Sequence, residues 1–235
     1  MGRKVQRRHP WSEPRLARKG PSRATRRAIL VVCEGEKTEP LYFNALKRDR
    51  GLGLTAVHVE VCGEECGSAP ISVVRYAIRK FKDRAREAPT SGSKLPFEKV
   101  YCVMDKDQHA SLDAALDLIE KSKGKIPIQG IVSCPCFELW FLLHFRYSAR
   151  PYHAYADLQP DLVQHLPAYD KGAEVYQDLR PRMSQALAHC ERLVAHHSGI
   201  SMDRFPNPST EVHHLIKALM AFPDPYPERW SLGTV

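Results

Sequence analysis

One stretch of the chain leaves few folds open: residues 28 to 33 read AILVVC, six apolar residues with no polar alternation. Successive side chains of a strand point to opposite faces, so a run of this kind needs cover on both sides, as at the centre of a sheet flanked by helices. Glu34 and Gly35 follow, then Thr38, Glu39 and Pro40, which read as a cap with proline in the first turn of a helix to about Lys47. A doubly apolar strand, a short turn and a helix make the first half of a βαβ unit.

The pattern continues in the same sense. TAVHVEVC (55–62) alternates as a second strand, and Ser68 can cap a long helix, APISVVRYAIRKFKDRAREA. FEKVYCVMD (97–105) reads as a third strand, residues 110 to 123 have helical spacing, and IPIQGIVS (126–133) reads as a fourth strand. PCFELWFLLHF then opens on a proline and continues as an apolar helix. The expected fold class is α/β, a largely parallel four-stranded sheet flanked by helices. Residues 150 to 235 show no strand pattern and are expected to form two or three helices, the last opening at NPSTEVHHLIKALM. The organisation is thus an arm over 1–25, an α/β domain over 26–149, and a helical C-terminal extension over 150–235 packed on the same core.

The net charge of +8 is not spread over that domain. Residues 1 to 27 hold ten Lys or Arg and one acid, Glu13, leaving 25 bases against 26 acids in the remainder. The arm mixes Pro, Gly, Ser and Arg with little apolar periodicity and is expected to be disordered, with Arg7 and Arg8 in it and Arg26 and Arg27 just past it as expected phosphate contacts. Trp11 is its one aromatic, which favours backbone contact over base stacking. No apolar run approaches the ~18 residues needed to span a bilayer, and ILVVC is too short for the h-region of a signal peptide, so a cytoplasmic protein without a membrane partner is expected. Seven cysteines then read as reduced thiols, and neither C-x3-C (Cys62, Cys66) nor C-x-C (Cys134, Cys136) is the usual zinc spacing.

Acids stand where the strands end. In a parallel α/β sheet ligands lie beyond the carboxyl ends of the strands, and those ends carry Glu34, Asp105 with Asp107, and a few residues past the fourth strand Glu138. Carboxylates gathered in one cleft repel each other unless protonated or neutralised by a cation, and Mg²⁺, or Mn²⁺, is the hard ion suited to such oxygens. Asp105 and Asp107 would point the same way along an extended strand, with Lys106 opposite. Each acid also has a plainer meaning: D-K-D as a solvated loop, Glu34 as a turn residue, Glu138 and Glu39 as first-turn helix acids. Glu36 reads as solvent-facing. Lys37 reads as a phosphate contact or a counter-charge, and His109 as a proton carrier or an ordinary loop histidine. GEKT resembles the end of a P-loop, but the glycine spacing that defines one is absent.

ILVVCEGEKTEPLYF, VMDKDQH, SCPCFELWFLLHF, YDKGAEVY and NPSTEVHHLIKAL, in this order, closely resemble the RloB family of prokaryotic proteins over about residues 23 to 222. RloB-like proteins in turn resemble the Toprim fold of primases, topoisomerases and OLD-type nucleases. That resemblance implies a Mg²⁺ site with Glu34 as the glutamate after the first strand, Asp105 and Asp107 as the D-x-D pair, and Glu39 as a further ligand by analogy with the nucleases. Glu138 belongs to the family's own motif. The resemblance also implies anti-phage defence or restriction-linked systems, often beside an ABC- or AAA-type ATPase.

The expected function is therefore a Mg²⁺-dependent nuclease acting on RNA, tRNA included, or on DNA. Glu34, Asp105, Asp107 and Glu138 form its catalytic set, with Glu34 a candidate general base, and Glu34, Glu39, Asp105 and Asp107 are its metal ligands. Lys37, His109 and the arm arginines contact substrate. A homo-oligomer is compatible with this reading. Two rivals remain at this point: a non-catalytic nucleic-acid-binding subunit of an ATPase complex, and nucleotidyl transfer as in primases.

Overall fold

The computed structural model describes residues 27–52, 57–91, 95–106, 111–199 and 203–222. The elements in order are β1 (Arg27–Cys33), α1 (Thr38–Asp49), β2 (Val57–Cys62), α2 (Pro70–Ser91), β3 (Phe97–Asp105), α3 (Leu112–Ser122), β4 (Ile128–Cys134) and α4 (Glu138–Leu143). There follow α5 (Tyr155–Val163), α6 (Tyr176–Leu179), α7 (Met183–His197), β5 (Ser209–Thr210) and α8 (Val212–Met220). The sheet runs β2-β1-β3-β4-β5, with the first four strands parallel and β5 antiparallel to β4.

The apolar run does what its composition demands. Ile29, Val31 and Cys33 enter one core with α1, α4 and the C-terminal helices; Ala28, Leu30 and Val32 enter a second with α2 and α3. All six are essentially inaccessible. With both faces covered, β1 sits between two parallel neighbours that supply its ladder partners, with one register shift against β3 between Ala28 and Ile29.

The chain leaves β1 toward one side through α1 to β2, then returns through α2 to β3 on the other side of β1. The strand order therefore reverses between β1 and β3, and the two connections diverge there. Such a switch point opens a crevice at the carboxyl ends of the two strands, where ligands bind in open α/β sheets.

The C-terminal segment closes both the face and the edge of the sheet. Its helices fill the first core around Trp140, Tyr152 and Tyr176, all fully buried. Tyr176 donates from its hydroxyl to Asp49 Oδ2 at 3.0 Å, and Arg180 pairs with the same oxygen at 3.2 Å, tying the end of α1 to this layer. At the edge, β5 adds a fifth strand that the sequence did not suggest, because two residues are too few to show alternation. Glu211 finishes the edge: its backbone N–H donates to Val132 O, and its carboxylate accepts the Val132 N–H at 3.0 Å. An otherwise open strand is thereby blunted.

Two smaller expectations are corrected. Lys37, not Thr38, is the N-cap of α1, and Thr38 uses its hydroxyl on the carbonyl of Lys171 at 2.9 Å. The described residues of the C-terminal segment form four α-helices rather than two or three. The seven cysteines are buried and unpaired. Among the described residues no helix is long and apolar enough to cross a membrane.

Replacing Trp140 by Ala removes a side chain with no exposed surface and should cost about 3–5 kcal/mol. Val194→Ala, at a side chain 53% exposed, should stay within about 0.5 kcal/mol of wild type. Urea unfolding midpoints of the two variants check this placement of the core, and equal shifts would contradict it.

Candidate functional site

The switch point is where the acids meet. Pairing of β1 with β3 continues one residue past the strand, since the Glu34 N–H donates to Val103 O at 3.0 Å. The Glu34 side chain then crosses to β3 and accepts the Asp105 N–H on Oε2 at 3.0 Å. Lys106 turns to the opposite side, with Nζ 2.5 Å from Asp203 and 2.9 Å from the carbonyl of Phe205. The expected alternation thus holds for Asp105 and Lys106. Asp107 and His109 lie outside the described residues.

A second pair of acids forms the other wall. Glu39, in the first turn of α1, folds back over Gly35, so that a Cβ at residue 35 would overlap its carboxylate. The turn itself is pressed against the loop after β2: a Cβ at Gly63 would stand 2.5 Å from Pro40 and 2.6 Å from Gly35 O. Glycine at both positions lets backbone and carboxylate approach closely. Glu138, buried at the start of α4, accepts the Tyr169 hydroxyl at 3.2 Å and faces Lys171 Nζ at 3.8 Å.

Burial pushes the Glu39 carboxyl up from 4.5 to about 7, and the Glu138 charge adds to the rise. The backbone N–H groups of Glu39 and Gly35 and the Lys171 ammonium act in the opposite direction. Desolvation outweighs them, so Glu39 shares a proton with solvent near neutrality.

These groups line one open cleft of about 350 Å³, bounded by Glu34 to Glu39, Ser68, Asp105, Glu138 and Lys171. Of the residues singled out from sequence, Glu34, Lys37, Glu39, Asp105 and Glu138 come together here. Glu36 is exposed at the rim, as expected. Arg27 does not join them: it stands at the amino end of β1, paired with Glu98 at 3.3 Å, roughly 20 Å from Glu34 by strand length. Arg7, Arg8 and Arg26 lie outside the described residues. Lys171, Tyr169 and Ser68 were not foreseen as site residues. YDKGAEVY held a signal for the first two, but nothing local in that motif shows that it closes onto Glu138.

The donor set suits a hard divalent cation in kind, being carboxylate oxygen throughout. As the side chains stand, no group of three or more His, Cys, Asp or Glu among the described residues is disposed to hold a metal ion. The acids form two pairs, Glu34 with Asp105 and Glu39 with Glu138.

The family model described as RloB-like protein matches residues 29–219. No curated protein and no solved structure gives a significant match.

The raised Glu39 pKa has a measurable consequence. Between pH 4.5 and about 7 the folded chain keeps a proton that the unfolded chain has lost, so this group lowers stability as pH rises through that window. Glu39→Gln removes the titration. In EDTA, the urea midpoint of the variant should therefore gain on wild type from pH 5 to pH 7.5, whereas a constant difference would contradict the assignment.

Proposed function

The chain belongs to the RloB-like family, and from that membership and the cleft we propose a Toprim-type nuclease, dependent on Mg²⁺ or Mn²⁺, that hydrolyses phosphodiester bonds in RNA, tRNA included, or in DNA. The observation that carries this reading is the convergence of Glu34 and Asp105 at the β1/β3 switch point, in a cleft that also presents Lys37 and Lys171. Acids alone would repel a polyanion. Acids with a cation and two ammonium groups attract one.

Glu34 and Asp105, with Asp107 two residues further on, would hold the ion. Bound there, a divalent cation supplies a water of lowered pKa and positive charge beside the scissile phosphate. Lys37 and Lys171 act as point charges on the phosphate oxygens and fix the substrate along the cleft. Glu39 fits the role of general base better than Glu34, which is engaged with the Asp105 backbone. A carboxyl with its pKa near 7 takes a proton from the attacking water at neutral pH and returns it to the leaving oxygen. Glu138 helps keep that pKa high through its charge, and Tyr169 and Lys171 hold Glu138 in place. The role in anti-phage defence and the ABC- or AAA-type ATPase partner rest on the family resemblance alone.

The test is cleavage of end-labelled tRNA and of plasmid by the full chain in Mg²⁺ or EDTA. Asp105→Asn should reduce cleavage at least about a hundredfold, and Glu39→Gln by about 10²–10⁴-fold. Cleavage that survives EDTA or Asp105→Asn would overturn the site. Tight binding without cleavage in Mg²⁺ or Mn²⁺ would favour a non-catalytic nucleic-acid-binding subunit.

A further inference from the structure

The arm is not the chain's one concentration of positive charge. From residue 70 to 88, α2 carries six bases, Arg75, Arg79, Lys80, Lys82, Arg84 and Arg86, against Asp83 and Glu87. The structure sorts them into two sets. Lys80 and Arg84 turn in to Glu60 on β2, at 2.7 and 3.4 Å. Arg75, Arg79, Lys82 and Arg86 are exposed at steps of four, three and four residues, which is one face of an α-helix. Over eleven residues that face is about 16 Å long.

Among the described residues, Arg75, Arg79 and Lys82 form no ion pair with an acid. Arg86 meets Asp83 at 3.4 Å in an exposed contact of small net strength. Arg79 lies over the Tyr76 ring, 5.1 Å from its centroid, which holds the guanidinium at the surface without neutralising it. Holding four like charges along one face costs energy unless an anion meets them.

The ridge also begins one loop away from the cleft. Ser72, Arg75, Tyr76 and Arg79 line a second pocket of about 320 Å³ whose other wall is Glu65, Cys66 and Gly67. Ser68, the next residue, lines the acidic cleft. The carboxyl end of β2 and the start of α2 thus separate the two hollows by a single loop. From there α2 leads the basic face away from the strand ends.

We propose that this face of α2 is a track for the phosphodiester backbone of the nucleic acid whose scissile phosphate occupies the cleft. The proposal rests on the nuclease reading for the identity of the cleft, and on the sorted charges for the path. Exposed bases at helical spacing, two of them the guanidinium groups of Arg75 and Arg79 with no acid paired to them among the described residues, suit a chain of phosphates. Each phosphate neutralised releases counterions, so the track contributes to affinity and to its salt dependence with little sequence preference.

The experiment uses the full chain carrying Asp105→Asn, in EDTA, so that binding is read without cleavage. Fluorescence anisotropy with a labelled single-stranded RNA and a labelled DNA duplex is recorded from low to high KCl. Arg75→Gln/Arg79→Gln/Lys82→Gln should weaken binding at least tenfold at fixed salt. It should also reduce the slope of log K against log salt by about 2, at roughly 0.7–0.9 per lost phosphate contact. Lys121→Gln/Lys125→Gln, two exposed bases on and just past α3, should leave both quantities close to the parent. Unchanged urea midpoints show that all variants are folded.

An unchanged slope in the triple variant would overturn the track, as would an equal drop in the Lys121/Lys125 control, which would mean general charge alone. Loss of binding to an acidic partner protein with nucleic-acid binding intact would equally overturn it, assigning the face to that protein. The outcome is independent of catalysis: a chain that never cleaves but shows the slope change keeps the track and loses the nuclease reading.

Discussion

The hydrogen bond from the Asp105 N–H to the Glu34 carboxylate joins the ends of the two central strands across the switch point. It exists because β1 is apolar on both faces and must lie inside the sheet, and because the chain passes to opposite sides of β1 on its way to β2 and to β3. Those two conditions place the residue after β1 beside the last residue of β3. An acid at that place cannot be excused as a surface accident: Glu34 is only 8% exposed, and its desolvation is met in part by a backbone donor.

The second pair of acids shows what the site costs the fold. Glu39 and Glu138 are buried close enough for the charge of one to raise the pKa of the other. A chain selected for stability alone would have little reason to keep both. The surrounding layer is closely packed: Trp140, Phe141 and Tyr42 are buried in it, and Thr38 is bonded to the loop that supplies Lys171. Local energetic conflict inside a well-packed frame is what functional sites commonly show.

Much of this was legible in the sequence, for reasons that can be named. AILVVC runs straight into Glu34 and YCVMD ends in Asp105, so both the central position of the strands and the acids at their tips could be read locally. β5 could not, since two residues carry no period. Thr38 was misread as a cap because a hydroxyl before Glu-Pro looks like one, whereas its partner lies 133 residues away. Lys171 and Tyr169 were missed on the same ground: their importance comes from tertiary closure onto Glu138. The basic face of α2 was written in the sequence at helical spacing, but which bases turn inward to Glu60 is a property of the packed β2 edge. Arg27 looked like part of the arm, and the register of β1 puts it at the far end of the sheet.

The account depends on a cation meeting the carboxylates at the ends of β1 and β3. Crystals of the full chain soaked in Mn²⁺, with anomalous scattering collected near the manganese edge, test that directly. The account predicts an anomalous peak within coordination distance of the Glu34 and Asp105 carboxylates, lost in Asp105→Asn crystals under the same soak. An occupied site elsewhere with none at these residues, or a peak that persists in Asp105→Asn, would contradict it.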